Sequence, residues 1–149
     1  KAMMESPEVM VEQYLKGTEI SIGCYKTKKK SVVLPATEVV TNNEFFDYDA
    51  KYNGQVQEIT PARLNEDTAR RVAELTSHIY DILHCNGIIR IDYIICRGLN
   101  KDGEEVDKIY MLEVNTTPGM TATSFIPQQV KAAGLNMADV LTEIVENQF

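Results

Sequence analysis

One stretch of this sequence constrains the fold more than any other. Ile88–Cys96 (IIRIDYIIC) and Lys108–Asn115 (KIYMLEVN) are strand-like runs on either side of a polar segment centred on Asp102-Gly103. An Asp-Gly pair between two such runs signals a hairpin, because a type I′ turn needs positive φ at both central positions. With that dipeptide as the turn, cross-strand partners carry numbers summing to 205, so Arg90 faces Asn115 and Asp92 faces Glu113. Side chains alternate along a strand, and directly opposed residues share a face. Arg90, Asp92, Glu113 and Asn115 are therefore expected on one face beside Ile94 and Met111, with Ile89, Ile91, Tyr93, Leu112 and Val114 facing the core. Two carboxylates, an amide oxygen and a guanidinium suit a hard divalent cation carrying phosphate, since Mg²⁺ and Mn²⁺ prefer oxygen ligands and Mg²⁺ leans on substrate phosphates. The same four residues equally describe an ion-paired, exposed sheet face in which Arg90 neutralises the acids.

Around the hairpin the pattern mixes strands and helices. Val9–Leu15 and Glu19–Lys26 are expected strands joined by a turn at Lys16-Gly17-Thr18, the second alternating Ile20, Ile22 and Cys24. Ser31–Val40 is a third, with Pro35 arguing for an edge or a bulge. Thr41–Gly54 has no clean period and predicts a long ordered loop, a kind that often carries function; Gln57–Thr60 is a short returning strand. Asn65 is the expected N-cap of a long helix whose apolar face is Ala69, Val72, Leu75, Ile79 and Ile82, with Gly87 as its left-handed stop. Thr116–Met120 is a turn. Ile126–Ala133 and Met137–Val145 are helical, the latter capped by Asn136 and apolar along Met137, Val140, Leu141, Ile144 and Val145. Without βαβ regularity, the expected class is α+β with a largely antiparallel sheet and flanking helices.

With 149 residues the chain can bury one core. A formal charge of −7 argues against a nucleic-acid partner, which needs clustered Lys and Arg. The basic run Lys28–Lys30 is expected at a solvated hairpin tip. No apolar run is long enough to cross a bilayer and no signal peptide opens the chain, so no membrane partner is expected. Cys24, Cys85 and Cys96 are odd in number and lack C-x-x-C spacing, which favours free, mostly buried thiols in a reducing compartment. His78 and His84 have no acidic or cysteine partner at ligand spacing and are expected to be structural. The chain starts at Lys1 and enters an expected strand almost at once, so a piece of a longer polypeptide is expected.

Several motifs in one order carry a resemblance. LEVNTTPGMT following RIDYII resembles the D-alanine–D-alanine ligase family of ATP-grasp enzymes. Phe45–Tyr52 (FFDYDAKY) looks like the mobile loop that family closes over its active site, and Val9–Glu19 (VMVEQYLKGTE) is similar to its nucleotide-contacting strand and turn. The resemblance runs from about Val9 to the C-terminus. It implies an ATP-grasp C-terminal lobe over residues 1–149, cytoplasmic in a bacterium, lacking the N-terminal domain and most of the central lobe. It also implies ATP and two Mg²⁺ or Mn²⁺ ions, with Asp92 and Glu113 on one ion and Glu113 and Asn115 on the other. Arg90 would stabilise the acyl-phosphate and tetrahedral intermediate, with the backbone N–H of Gly119 as an oxyanion donor. Ser124 would bind the carboxylate of the second D-alanine. Glu12 and Glu19 would meet the adenine and ribose ends of ATP, with Tyr14, Leu15, Phe45, Ile94 and Leu112 around the base. Lys51 would reach the transferred phosphate, and Tyr52 would close the acceptor pocket.

The residues support plainer roles as well. Glu12 and Glu19 suit solvent-facing strand positions, Lys51 and Tyr52 a loop surface, and Ser124 a helix N-cap. Strict alternation turns Leu112 away from the base, and a bulge in that strand would reconcile it with the implied role. The Arg97–Asp107 connection looks longer than is usual in the family, and Phe46 stands where many relatives carry Tyr. With the partner lobes absent, the chain by itself is expected to be inactive. Other expectations compatible with the sequence are an ATP-grasp ligase with another acceptor, such as D-lactate, and a non-catalytic nucleotide-binding module. A homodimer stays open.

Overall fold

The structure is a computed structural model and describes residues 2–41 and 56–149. A short helix α1 (Ala2–Glu5) and an irregular segment lead into β1 (Thr18–Lys26), β2 (Ser31–Val33), β3 (Thr37–Thr41) and β4 (Val56–Ile59). The long helix α2 (Glu66–Ile82) precedes the hairpin strands β5 (Ile88–Leu99) and β6 (Glu105–Asn115), followed by α3 (Phe125–Ala132) and α4 (Met137–Glu146). The strands form one antiparallel sheet in the order β4-β3-β1-β5-β6, with β2 paired to β1 before β3 takes over the same edge. This is the expected α+β fold with a largely antiparallel sheet and flanking helices.

Alternation in β1 and β5 divides the molecule. Ile20, Ile22 and Cys24 of β1 and Ile89, Ile91, Tyr93 and Ile95 of β5 form one buried cluster with Val72 and Tyr80 of α2. The opposite face packs Tyr25, Leu34 and Ile88 against Ile126, Val130 and Val140 of α3 and α4. That second cluster covers the face only at its Tyr25–Ile88 end. Glu19, Ser21, Arg90, Asp92 and Ile94 lie further along the same face, where they line a cleft.

The hairpin departs from simple alternation twice. Gly103, not the Asp102-Gly103 pair, supplies the positive φ (+81°), and its N–H donates to Asn100 O at 3.2 Å. A three-residue loop therefore joins the strands, a type I turn followed by a left-handed glycine. Partners from Leu99↔Glu105 to Tyr93↔Met111 consequently sum to 204. A register shift between Asp92 and Tyr93 leaves Leu112 as the extra residue and restores the sum of 205 at Asp92↔Glu113 and Arg90↔Asn115. The two deviations offset at the Arg90↔Asn115 end. Elsewhere the expected pairing needs correction: Met111 rather than Leu112 opposes Tyr93, and Tyr110 rather than Met111 opposes Ile94, which keeps its expected place on the face of Arg90 and Asp92. The Arg97–Asp107 connection is not a long turn either, because Arg97↔Asp107, Gly98↔Val106 and Leu99↔Glu105 are paired.

Other boundaries moved for identifiable reasons. Val9–Leu15 is not a strand; β2, β3 and β5 already occupy the edges of β1, and residues 9–14 stay exposed. Ser31–Val40 breaks around Pro35 into β2 and β3. Asn65 caps α2 as expected, accepting from Thr68 N at 2.8 Å. The buried row of that helix is Thr68, Val72, Thr76 and Tyr80, while Ala69 and Ile82 are exposed. The apolar pattern gives this face only in part: Val72 is buried and Leu75 and Ile79 pack against the core, but two buried members are threonines, one of them bonded to Tyr93 (Thr76 Oγ1 to Tyr93 Oη, 2.9 Å). Its left-handed stop is His84 (φ +50°), whose N–H and that of Cys85 return to Asp81 O and Tyr80 O; Gly87 comes later. On α4, Val140 is buried but Leu141 and Val145 are exposed. Among the described residues the cysteines are free, with Cys24 and Cys96 buried, and burial pushes the Cys24 thiol up to about 12. No helix among them is long and apolar enough to cross a membrane.

Candidate active site

Strand pairing builds the site in rows. Ser21 of β1 lies opposite Asp92 of β5, which lies opposite Glu113 of β6. One row away, Gly23 faces Arg90 and Arg90 faces Asn115; on the other side Glu58, Val39, Glu19, Ile94 and Tyr110 run across five strands. Opposed residues share a face, so chemistry from separate parts of the sequence meets on one surface.

Arg90 and Asp92 are two residues apart on β5 and bond bidentately, Nε to Oδ1 at 2.9 Å and Nη2 to Oδ2 at 2.8 Å. Ser21 Oγ donates to the same Oδ1. Asp92 is buried at 8 % exposure, which suits a carboxylate compensated by a guanidinium and a hydroxyl. Glu113 differs, with 64 % of its side chain exposed; its Oε1 accepts from Asn115 Nδ2 at 2.8 Å and stands 3.8 Å from Arg90 Nη2. On its other side the Arg90 guanidinium lies 5.5 Å from the Phe125 ring centroid, a cation–π contact that holds its plane.

The far wall comes from the turn after β6 and the start of α3. Ser124 takes the N-cap position of α3, but its side chain makes no cap bond; Oγ accepts from Thr121 N at 3.1 Å instead. A Cβ on Gly119 would lie 2.8 Å from that Oγ, so Gly119 and Ser124 are immediate neighbours. Gln128 Nε2 donates to Thr123 O at 3.0 Å and to Glu58 Oε2 at 2.6 Å, joining this wall to β4. Ser21, Arg90, Asp92, Glu113, Gly119, Ser124 and Phe125, with Met10 and residues 12–15, line an open cleft of about 990 Å³. One end of it is apolar, around Ile94, Met111 and Leu112; the other carries Arg90, Asp92 and Glu113.

The sequence matches the D-ala D-ala ligase C-terminus family over residues 1–146. The chain belongs to that family. It is 67 % identical over 149 residues to the D-alanine–D-alanine ligase of Bacteroides fragilis, covering all of this chain and 44 % of that protein. Among solved structures it resembles the Bacillus anthracis D-alanine–D-alanine ligase complexed with ATP (30 % identity, TM-score 0.64, 91 % of this chain and 39 % of that one). It also resembles the VanG D-Ala:D-Ser ligase of Enterococcus faecalis (28 %, TM-score 0.71, 92 % and 38 %). The chain thus spans less than half the length of these relatives.

Within this ligase C-terminus, Glu12, Tyr14, Leu15, Glu19, Arg90, Asp92, Ile94, Leu112, Glu113, Gly119 and Ser124 all line the one cleft. Leu112 reaches it through the bulge, and Asn115 is bonded to Glu113 beside it. Phe45, Lys51 and Tyr52 lie outside the described residues. Ser21 and Phe125, which sequence patterns did not single out, hold Asp92 and Arg90 from either side. Alternation already placed Ser21 opposite to Ile20 and Ile22; only the pairing of β1 with β5 shows what it meets. Among the described residues no group of three or more His, Cys, Asp and Glu side chains forms a ready-made metal cage.

Proposed function

We propose that this chain is the C-terminal part of an ATP-dependent ligase that joins two D-alanines, working in a bacterial cytoplasm to supply peptidoglycan synthesis. The γ-phosphoryl group of ATP passes to a carboxylate oxygen of the first D-alanine, releasing ADP and leaving an acyl-phosphate. The amine of the second D-alanine then attacks the carbonyl carbon, the bond to the phosphate oxygen breaks, and phosphate and a proton leave with the dipeptide. The observation that carries this reading is the alignment of Arg90, Asp92 and Glu113 in the same cleft as Gly119 and Ser124.

Phosphoryl transfer is catalysed mainly by positioning and charge neutralisation. Arg90 is committed to Asp92 through Nε and Nη2, which leaves Nη1 to meet the oxyanion of the acyl-phosphate and tetrahedral intermediate. The N–H of Gly119 would donate to that oxyanion, and the Ser124 hydroxyl to the carboxylate of the acceptor. Ile94 and Leu112, with Tyr14 and Leu15, would pack the adenine, while Glu12 and Glu19 would take its amine and the ribose. Lys51 and Tyr52 would complete the phosphate and acceptor pockets. Asp92 and Glu113 would hold one Mg²⁺ or Mn²⁺, and Glu113 with the Asn115 carbonyl oxygen the other. All donors are oxygen, and Arg90, Asp92 and Glu113 together carry a formal −1, a donor set suited to ions that arrive with polyphosphate rather than to a closed cage. Such ions, when bound, neutralise the phosphate charge.

The N-terminal domain and most of the central lobe would come from the remainder of the polypeptide, and the 149-residue chain alone would be inactive; D-alanine-dependent phosphate release by it would refute that. A second reading, a ligase with another acceptor, is favoured by the likeness to the D-Ala:D-Ser ligase. The deciding test is phosphate release by the full polypeptide with MgATP and D-alanine alone, D-alanine plus D-lactate or D-serine, or L-alanine. Release with D-alanine alone, with dipeptide in the product, is expected; release only with a second acceptor moves the assignment to that acceptor.

A further inference from the structure

Gln129 has no exposed surface, although it sits on the helix that carries Ser124 and Phe125 at its start. A buried amide is costly unless its bonds are made. Gln129 makes three. Its Oε1 accepts from Gly23 N at 2.8 Å, and its Nε2 donates to Ser21 O at 3.0 Å and to Thr37 Oγ1 at 3.1 Å. These bonds fall where β2 has ended at Val33 and β3 has not begun until Thr37, so the edge of β1 lacks a continuous strand partner there. The side-chain amide fills that gap with one acceptor and two donors, where a backbone peptide group would offer one of each. Gly23 permits the approach, since a Cβ there would lie 2.6 Å from Ile126 Cδ1 and 2.9 Å from Gln129 Oε1.

Ser21 then links the gap to the site. Its carbonyl is held by Gln129 and its hydroxyl donates to Asp92. Asp92 grips Arg90, and Arg90 lies over Phe125, four residues before Gln129 on the same helix. The contacts close a ring through α3, β1 and β5. We propose that Gln129 and Ser21 are positioning residues whose ring fixes the spacing between Arg90 and Ser124, and so between the reacting carbonyl and the bound acceptor. The catalytic part of this proposal rests on the ligase reading above. A displacement on the order of 1 Å between such groups costs about 10²-fold in rate.

The test uses the full polypeptide with Gln129→Leu, which keeps the volume and removes the bonds, together with Ser21→Ala and Ser21→Thr. Gln129→Leu is expected to lower kcat/KM for the second D-alanine by about tenfold or more, with the KM for ATP changed less than about twofold. Ser21→Ala is expected to lower kcat by about tenfold, and Ser21→Thr, which keeps the hydroxyl, to restore it. Independently of turnover, the ¹⁵Nε–¹H signal of Arg90, whose proton is bonded to Asp92, should shift or broaden in Gln129→Leu and Ser21→Ala and recover in Ser21→Thr. A residue that merely fills space would lower the melting temperature and leave the acceptor kinetics and the Arg90 signal at parental values; that result overturns the proposal. Should Gln129→Leu fail to fold, the Ser21 pair decides. Absence of D-alanine-dependent turnover in the parent would remove the ligase reading, and the Arg90 signal would then decide the positioning roles alone.

Discussion

The two ends of the β5–β6 hairpin carry the same chemistry and use it differently. At one end Arg90, Asp92 and Glu113 line the cleft, with Asn115 bonded to Glu113 beside it; at the other Arg97, Asp107 and Asn65 meet at the start of α2. Asp107 is wholly committed, accepting from Thr68 Oγ1 at 2.7 Å and Asn65 Nδ2 at 2.8 Å, with Arg97 Nε at 3.5 Å. It ties the hairpin to the N-terminus of α2, where a negative charge also complements the helix dipole. Asp92 is equally committed, but its neighbour Glu113 is left 64 % exposed, and among the described residues Arg90 Nη1 has no partner. The difference lies in the acids: the Asp107 side chain is 12 % exposed against 64 % for Glu113, although Asn65, Arg97 and Asp107 also border a smaller pocket of about 340 Å³.

That contrast can be broken by mutation. The largest effect is expected from Arg90→Ala in the full polypeptide: kcat falls by about 10²–10³-fold, with a smaller change in the KM for ATP, in steady-state assays. A pure KM effect would remove its transition-state role. Glu113→Gln should weaken Mn²⁺ binding to the nucleotide complex by about tenfold or more, read by electron-paramagnetic titration; unchanged binding removes Glu113 from the ligand set. Asp107→Ala should do the reverse of Arg90→Ala, costing about 1 kcal/mol in denaturant unfolding with little change in kcat of the folded enzyme, because Thr68 and Asn65 lose a half-buried acceptor.

The same end has a pH signature. The Thr68 hydroxyl, aided by Asn65 and Arg97 and opposed by burial, holds the Asp107 carboxyl below the usual carboxylate range. A carboxyl lowered on folding stabilises the protein above its unfolded pKa and loses that contribution as pH falls through the folded value. Stability should therefore drop as pH falls below about 4, and less steeply in Asp107→Asn, when melting temperature is followed against pH. The smallest effect is expected at the tip joining the two ends. Gly103→Ala should cost about 1 kcal/mol, because φ is +81° although the site is open, and should leave metal binding unchanged.

Much of this was legible in the chain. The α+β class, the hairpin, the Asn65 cap and the pairing of Arg90 with Asn115 and Asp92 with Glu113 follow from period-two alternation, turn residues and capping chemistry, all of them local. Even so, the hairpin register was reached through two offsetting errors. The loop has three residues rather than two, and Leu112 is a bulge; neither is written in an alternating pattern, because a bulge depends on how the partner strand fits. The buried face of α2 is legible only through Val72, Leu75 and Ile79 for a related reason: Thr68 and Thr76 look polar until Asp107 and Tyr93 supply their partners. Val9–Leu15 has strand-like residues, but both edges of β1, the strand that follows it, are already paired.

By itself, then, the sequence determined which residues could line one face and which motifs could carry phosphate chemistry, since those properties are set by neighbours in the chain. Only the tertiary structure decided what that face meets. It brought Ser21 from β1 and Phe125 from α3 onto Asp92 and Arg90, placed Gln129 in the gap between β2 and β3, and left the cleft open beside Glu113. Those contacts join residues up to 108 positions apart, and no local propensity encodes which distant group will satisfy a buried amide or hold a carboxylate.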